Sequence, residues 1–166
     1  MLEILYPRRC AVCDEIEVTG KGICPLCKDK VHVAGEPACK KCGKPLVDER
    51  KEFCTDCGKK HHVYTQGKAV FVYEGGIRNS MYRFKYGNKR EYAEFYANAA
   101  VEKYGVWLNK IKAEVLIPIP MYSRKKRLRG YNQAEVFARE LGRKAGILVD
   151  EHLVRRVRNT IPQKEL

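Results

Sequence analysis

Cysteine occurs only as four Cys-x-x-Cys pairs, Cys10/Cys13, Cys24/Cys27, Cys39/Cys42 and Cys54/Cys57, and none occurs in the remaining two thirds of the chain. The first members of successive pairs are 14, 15 and 15 residues apart, so a turn presenting two sulfurs recurs at nearly fixed period. Two such turns supply the four soft thiolates of a tetrahedral zinc site. Eight thiolates therefore predict two structural zinc ions. Spacing alone permits interleaved pairs, but adjacent pairing, first with second and third with fourth, is the expectation.

Two other chemistries use the same residues. A secreted disulfide framework needs an export signal, and Met1-Leu2-Glu3-Ile4-Leu5-Tyr6-Pro7-Arg8-Arg9 has an acid at its third position and no apolar stretch of signal length. The chain reads as cytoplasmic. A thioredoxin-like redox motif would be a single pair opening a helix after a strand, not four in tandem. His32, His61 and His62 could ligate metal, but eight cysteines already complete two sites, so exposed histidines are expected.

The segments between the pairs are short and polar, with Gly20, Gly22, Gly35, Gly43 and Gly58 close to the cysteines, as tight knuckle turns require. A module of this size with so little aliphatic content could hardly fold alone, so ligation must supply much of its folding free energy. Charge separates it from the rest of the chain. Residues 1–62 hold 12 Lys/Arg against 10 Asp/Glu, leaving 21 against 10 in residues 63–166, within a formal total of +13. Two four-thiolate zinc sites would lower that total to about +9 and leave the first module near −2. The basic character belongs to residues 63–166, and no run in the chain approaches transmembrane length.

The elements of residues 63–166 can be read from patterning. Lys68 to Tyr73 is apolar, β-branched and aromatic, and predicts a strand closed by Glu74-Gly75-Gly76. A short helix is expected from Ile77 to Lys85, with Ile77, Met81 and Phe84 on one face, ended by Tyr86-Gly87-Asn88. From Lys89, the positions Tyr92, Phe95, Tyr96, Ala99 and Ala100 predict an amphipathic helix running towards Trp107. Ala113 to Pro120 is a continuous apolar run, the signature of a strand buried on both faces of a parallel sheet. Pro118 and Pro120 cannot donate to a ladder, so this strand should end near Ile117 and lead into an extended loop.

That loop carries Arg124, Lys125, Lys126, Arg127 and Arg129, five cations in six positions. Asn132 is a candidate N-cap for a helix through Val136, Phe137, Leu141 and Lys144, ending at Gly146, with a further strand at Ile147-Leu148-Val149. A cationic, glycine-containing loop between a buried strand and a helix N-terminus favours anions, with Asn132 beside the five cations as a binding residue: phosphate, pyrophosphate or a nucleic-acid backbone. Tyr86, Tyr122 and Tyr131 lie nearby in sequence, either to stack bases or to pack.

Taken together, these residues resemble the ComF family. The resemblance is carried by the four cysteine pairs after Leu5-Tyr6-Pro7-Arg8-Arg9, then Arg83-Phe84-Lys85-Tyr86-Gly87, Ile117-Pro118-Ile119-Pro120, Arg129-Gly130-Tyr131-Asn132-Gln133-Ala134, and Arg155-Arg156-Val157-Arg158-Asn159-Thr160 with Gln163 beyond it. It implies an α/β protein: a double zinc ribbon (residues 1–62), then the N-terminal part of a type I phosphoribosyltransferase-like parallel-sheet domain (residues 63–166). It also implies a part in natural competence, in which single-stranded DNA is taken up and handled for transformation, with a protein partner in the uptake machinery.

In such a domain Lys85 and Arg129 would be phosphate partners near the pyrophosphate end of a phosphoribosyl pyrophosphate pocket. The family's later acidic pair, for ribose hydroxyls and magnesium, and its Thr-Thr-Gly loop, for the 5-phosphate, have no counterpart before Leu166. The resemblance thus implies an incomplete domain, as from a shortened or split gene. No catalysis is expected of this chain alone, and its open sheet edge could self-associate. The second expected function is transfer of a phosphoribosyl group to a nucleobase-like acceptor with magnesium, if the missing loop is supplied.

Overall fold

The computed structural model describes residues 7–160. Two knuckle hairpins open the chain, marked by the antiparallel bridges Arg9–Ile16 and Ala38–Pro45. Each leads to a short helical turn that starts at the next cysteine pair: a 3-10 helix, Pro25–Lys30, and α1, Thr55–Lys59. Pro25 suits the first of these, because a first-turn amide has no intrahelical acceptor in any case.

The strand expected over 68–73 is absent. The segment is extended, but it makes one bridge, Phe71 to Val33, flanked by Ala34 N–H to the Val70 carbonyl and Val72 N–H to the His32 carbonyl, each 2.9 Å. The partner segment is the reason. Only Val31 to Gly35 lie between the 3-10 helix and the bend at Glu36-Pro37, and the next helix begins at Gly75.

Three helices match the expected patterns closely. α2, Gly75–Tyr86, buries Ile77, Ser80 and Phe84 and stops at Gly87, whose N–H bonds the Arg83 carbonyl. α3, Tyr92–Ile111, buries Tyr92, Ala93, Phe95, Tyr96, Ala97, Ala100 and Leu108, so Ala97 rather than Ala99 faces inward. A left-handed Lys112 ends it. Strand β1, Val115–Leu116, stops two residues before Pro118, and its successor is a helix rather than a loop.

That helix, α4, Ser123–Arg129, forms because its lysines, arginines and leucine are good helix formers, while Gly130, at φ +82°, closes it with an N–H to the Lys126 carbonyl. Lys126, Arg127 and Arg129 sit in its last turn, where positive charge complements the helix dipole. α5, Gln133–Ala145, is capped by Asn132 and ended by a left-handed Gly146. Strand β2, Leu148–Val149, then pairs in parallel with β1, Val115 opposite Leu148 and Leu116 opposite Val149.

The architecture is mixed and mostly helical, with two N-terminal cysteine knuckles and a small two-stranded parallel sheet. Gly142 of α5 permits the close approach to the sheet: a Cβ there would stand 2.5 Å from the Val149 side chain. The opposite expectation, a strand buried on both faces, fails. Val115 and Leu116 are half-buried, and Ile117 and Ile119 beyond them are exposed, the latter at 73%, while α5 is the helix packed against β2.

One core crosses the chain. Ile77 and Phe84 of α2, Tyr92, Ala93, Phe95 and Tyr96 of α3, and Tyr131 pack with Ala11 of the first knuckle, and Ile23, Val31 and Phe71 close the rim. Ala11 is completely buried and Val12 nearly so. The first ribbon therefore contributes to the same apolar core as the helices.

Candidate metal centres and a basic helix

Cys10, Cys13, Cys24 and Cys27 form one cluster, and Cys39, Cys42, Cys54 and Cys57 a second, with all sulfurs of a cluster within 4.8 Å of one another. The partnership is that of adjacent pairs. Cys13 Sγ lies 3.8 Å from Cys24 Sγ, and Cys42 Sγ lies 3.8 Å from Cys54 Sγ. A tetrahedral ion with metal–sulfur bonds of about 2.3 Å holds its sulfurs ~3.8 Å apart. A disulfide would need about 2.05 Å. The donor set and its spacing fit zinc.

Each site is prepared electrostatically. Burial would raise the Cys10 thiol, but the backbone N–H groups of Cys13, Cys24 and Val12 face its sulfur and bring it down to about 7. Val12 N–H and Cys24 N–H each stand 3.4 Å from that sulfur. Cys39 repeats the arrangement: against burial, the N–H groups of Cys54, Cys42 and Lys41 lower it to about 6. Burial and the neighbouring sulfurs push Cys27 and Cys57 up to about 12. One thiolate in each quartet is thus favoured near neutral pH. A cation would have to draw protons from the other ligands of its quartet.

The two knuckles differ at the residue after the second cysteine. Gly43 adopts φ +76° there, and a Cβ would meet the Ala69 nitrogen at 2.7 Å. The matching position of the first site is Asp14, at φ +69°. Its carboxylate accepts from the Tyr92 hydroxyl at 2.6 Å and pairs with Lys89 Nζ at 2.8 Å. Burial opposes its ionisation, but Lys89 and Tyr92 hold it below the usual aspartate range. Burial and then Asp14 push Tyr92 far up, so the phenol stays protonated and donates. Arg83 of α2 adds a bond from Nη2 to the Val12 carbonyl. Nothing in the sequence pattern singled out Asp14; an acid directly after a Cys-x-x-Cys pair, where its twin is glycine, was the available signal.

The clusters contain cysteine only among the described residues. His32 is exposed and bonds Glu74 through Nδ1 at 2.7 Å, His62 stacks on Tyr64 with centroids 5.2 Å apart, and His61 is exposed.

The cationic residues are distributed around α4. Arg124, Lys125 and Arg127 are exposed, and none of them has an acidic partner among the described residues. Lys125 Nζ donates to the Thr160 carbonyl at 3.2 Å. Lys126 is neutralised by Glu135 at 2.6 Å. The Arg129 guanidinium lies 4.7 Å over the Tyr86 ring and donates to Gln133 Oε1 at 2.6 Å. Lys85 is half-buried one residue before Tyr86, with no ion pair among the described residues.

Asn132 is buried. Its Oδ1 accepts from Ala134 N–H at 3.1 Å, and its Nδ2 donates to the Ile119 carbonyl at 3.0 Å and to Glu135 Oε1 at 3.2 Å. It joins the end of the β1 segment to the start of α5. Tyr131 is buried and donates its hydroxyl to the Phe84 carbonyl, Tyr122 is half-buried, and Tyr86 is exposed. Arg90, not singled out by the sequence, covers the Tyr131 ring at 4.9 Å and donates to the Gly130 carbonyl at 3.2 Å.

Residues 1–58 match the family model of the double zinc ribbon domain. No curated protein and no solved structure matches the chain. With the geometry above, the match identifies the two cysteine quartets as sites for two zinc ions, Cys10/Cys13/Cys24/Cys27 and Cys39/Cys42/Cys54/Cys57. No helix among the described residues is long and apolar enough to cross a membrane.

Proposed function

We propose that this two-zinc protein binds the phosphate backbone of single-stranded nucleic acid along α4. One observation carries the reading: Arg124, Lys125 and Arg127 stand exposed on a short helix without an acid to neutralise them. Exposed cations of this kind release condensed counterions when they meet a polyanion, which gives affinity without sequence preference. Tyr86, exposed beneath Arg129, offers a stacking face beside them. The resemblance to the ComF family directs the reading to incoming DNA of natural transformation, with a protein partner of the uptake machinery docking on the ribbons.

Binding of short oligothymidylate, monitored by anisotropy across a salt series, tests it. Each phosphate contact contributes about 0.7 to the log–log salt slope for single strands. Replacing Arg124, Lys125 and Arg127 together by Gln should weaken binding and reduce the slope by about 2. Unchanged affinity and slope, in a variant that keeps its zinc, would refute the proposal.

A second reading draws on topology. α4 comes after the C-terminal end of β1 in a parallel crossover, where open α/β sheets bind phosphates, which favours phosphoribosyl pyrophosphate as ligand. Magnesium does not fit the residues present. Glu135, the one carboxylate bonded to α4 among the described residues, is held by Lys126 and by Asn132. Phosphoribosyl pyrophosphate displacing oligothymidylate competitively in magnesium-free buffer would favour this second reading.

A further inference from the structure

A cavity of about 300 Å³ opens between the extended segment before α2, α2 itself, α3 and the first turns of α5. Its walls include Phe71, Met81, Phe84, Tyr96 and Phe137, with Gln133 as the polar side chain at its margin. The rings are fixed against one another: Phe84 lies 5.5 Å from Tyr96, and Phe71 meets Tyr96 edge-on at 6.2 Å. The Tyr96 hydroxyl is engaged by Ser80 at 2.7 Å, so that wall offers its ring rather than a free polar atom.

Gln133 is different. Its Oε1 accepts from Arg129, while its carboxamide NH2 has no hydrogen bond among the described residues. The space lies at the small end of the roughly 300–1,000 Å³ typical of ligand sites, so it suits one ring system rather than an extended ligand. Aromatic walls favour a flat ring, and a free amide donor at the margin favours a ring with an acceptor on its edge. Nucleobases carry both. Gln133 is also one hydrogen bond from Arg129 of α4, so a base held here would have its phosphates at the basic helix.

We propose that this cavity receives one nucleobase of a strand whose phosphates lie along α4, the Gln133 carboxamide donating to the edge of the base. The assignment rests on the phosphate-binding reading of α4. Base–aromatic stacking is worth about one to two powers of ten in affinity.

The test compares oligothymidylate with an abasic strand of equal length, titrated into the zinc-loaded full chain, its Gln133→Ala variant and a Phe137→Leu variant that removes the ring but keeps an apolar side chain. Oligothymidylate should bind the unmodified chain at least tenfold more tightly than the abasic strand. Either variant should shrink that advantage several-fold, and Phe137→Leu should leave abasic binding unchanged. A 2-aminopurine placed in the strand should be quenched by the unmodified chain and less so by the variants. Equal binding of the two strands, or an advantage that survives both substitutions, overturns the cavity assignment and leaves α4 intact. Failure of both strands to bind refutes the α4 reading, and this one with it.

Discussion

The two zinc sites should be unequal in what their loss destroys. Consider Cys10→Ser with Cys13→Ser, against Cys39→Ser with Cys42→Ser. The first knuckle is joined to the helices by Tyr92 and Lys89 on the Asp14 carboxylate and by Arg83 on the Val12 carbonyl. Hydrogen bonds involving charged groups contribute about 1.5–3 kcal/mol each, so the three together come to roughly 4.5–9 kcal/mol. Arg83 Nε is already buried without a partner, which makes any further loss around that guanidinium more costly. Ala11 and Val12 also leave the core if the knuckle opens. Against a typical domain stability of about 5–15 kcal/mol, that is a large share of the total.

The second quartet makes no hydrogen bond from residues 39–57 to α2, α3, α4 or α5 among the described residues; its nearest link is Gly67 N–H to the Lys41 carbonyl at 2.6 Å. Zinc content by elemental analysis, together with amide hydrogen exchange along α3, separates the two cases. The first variant should lose α3 protection by a factor on the order of 10³, corresponding to about 4 kcal/mol. The second should retain one zinc and keep α3 protection within about threefold. Retained α3 protection in the first variant, or its loss in the second, would refute the reasoning.

Asn132→Ala removes the N-cap of α5 and leaves the Ile119 carbonyl without its donor, a combined loss of about 2–3 kcal/mol. The midpoint of thermal unfolding should fall by roughly 4–12 °C, and an unchanged midpoint would dismiss the buried cap. Glu17 supplies a pH test. Its buried carboxylate opposes burial by accepting from Thr19 and from Gly22 N–H at 3.1 Å, and so sits below the usual glutamate range. Its stabilising contribution is full above the ordinary glutamate pKa and is lost as pH falls through the depressed folded value. Glu17→Gln should therefore destabilise at neutral pH, with the gap from the unmodified chain closing under acid; a gap independent of pH would contradict it.

What could be read from the sequence was what is local. Cys-x-x-Cys turns carry their chemistry in four residues, whereas the spacing of whole pairs left open which of them share an ion, and the folded chain brings adjacent pairs together. α2, α3 and α5 were legible because Ile77, Met81 and Phe84, or Tyr92, Phe95 and Tyr96, repeat at helical period, and because Asn132 and Gly146 punctuate the last. The segment from Lys68 to Tyr73 has a strand's composition, yet pairing depends on a partner. Val31 to Gly35 is too short to make a ladder. α4 was hidden because Pro118 and Pro120 argue for extended chain, whereas the helix starts three residues later, and cationic loops and cationic helices have the same composition. Asp14 could not be read as a joint, since its role exists only where Tyr92 and Lys89, more than seventy residues away, arrive beside it.

The turn between α4 and α5 is gripped from two sides, Arg129 over Tyr86 and Arg90 over Tyr131, with Arg90 also holding the Gly130 carbonyl. Tyr131 is itself fastened to the end of α2. Such clamping settles the disorder of the α4 backbone during folding, before any ligand arrives. A polyanion meeting it would lose its own freedom but demand little of the protein's. Association would then be governed by diffusion and charge, and ionic strength would act mainly on how often encounters succeed rather than on a slow rearrangement afterwards.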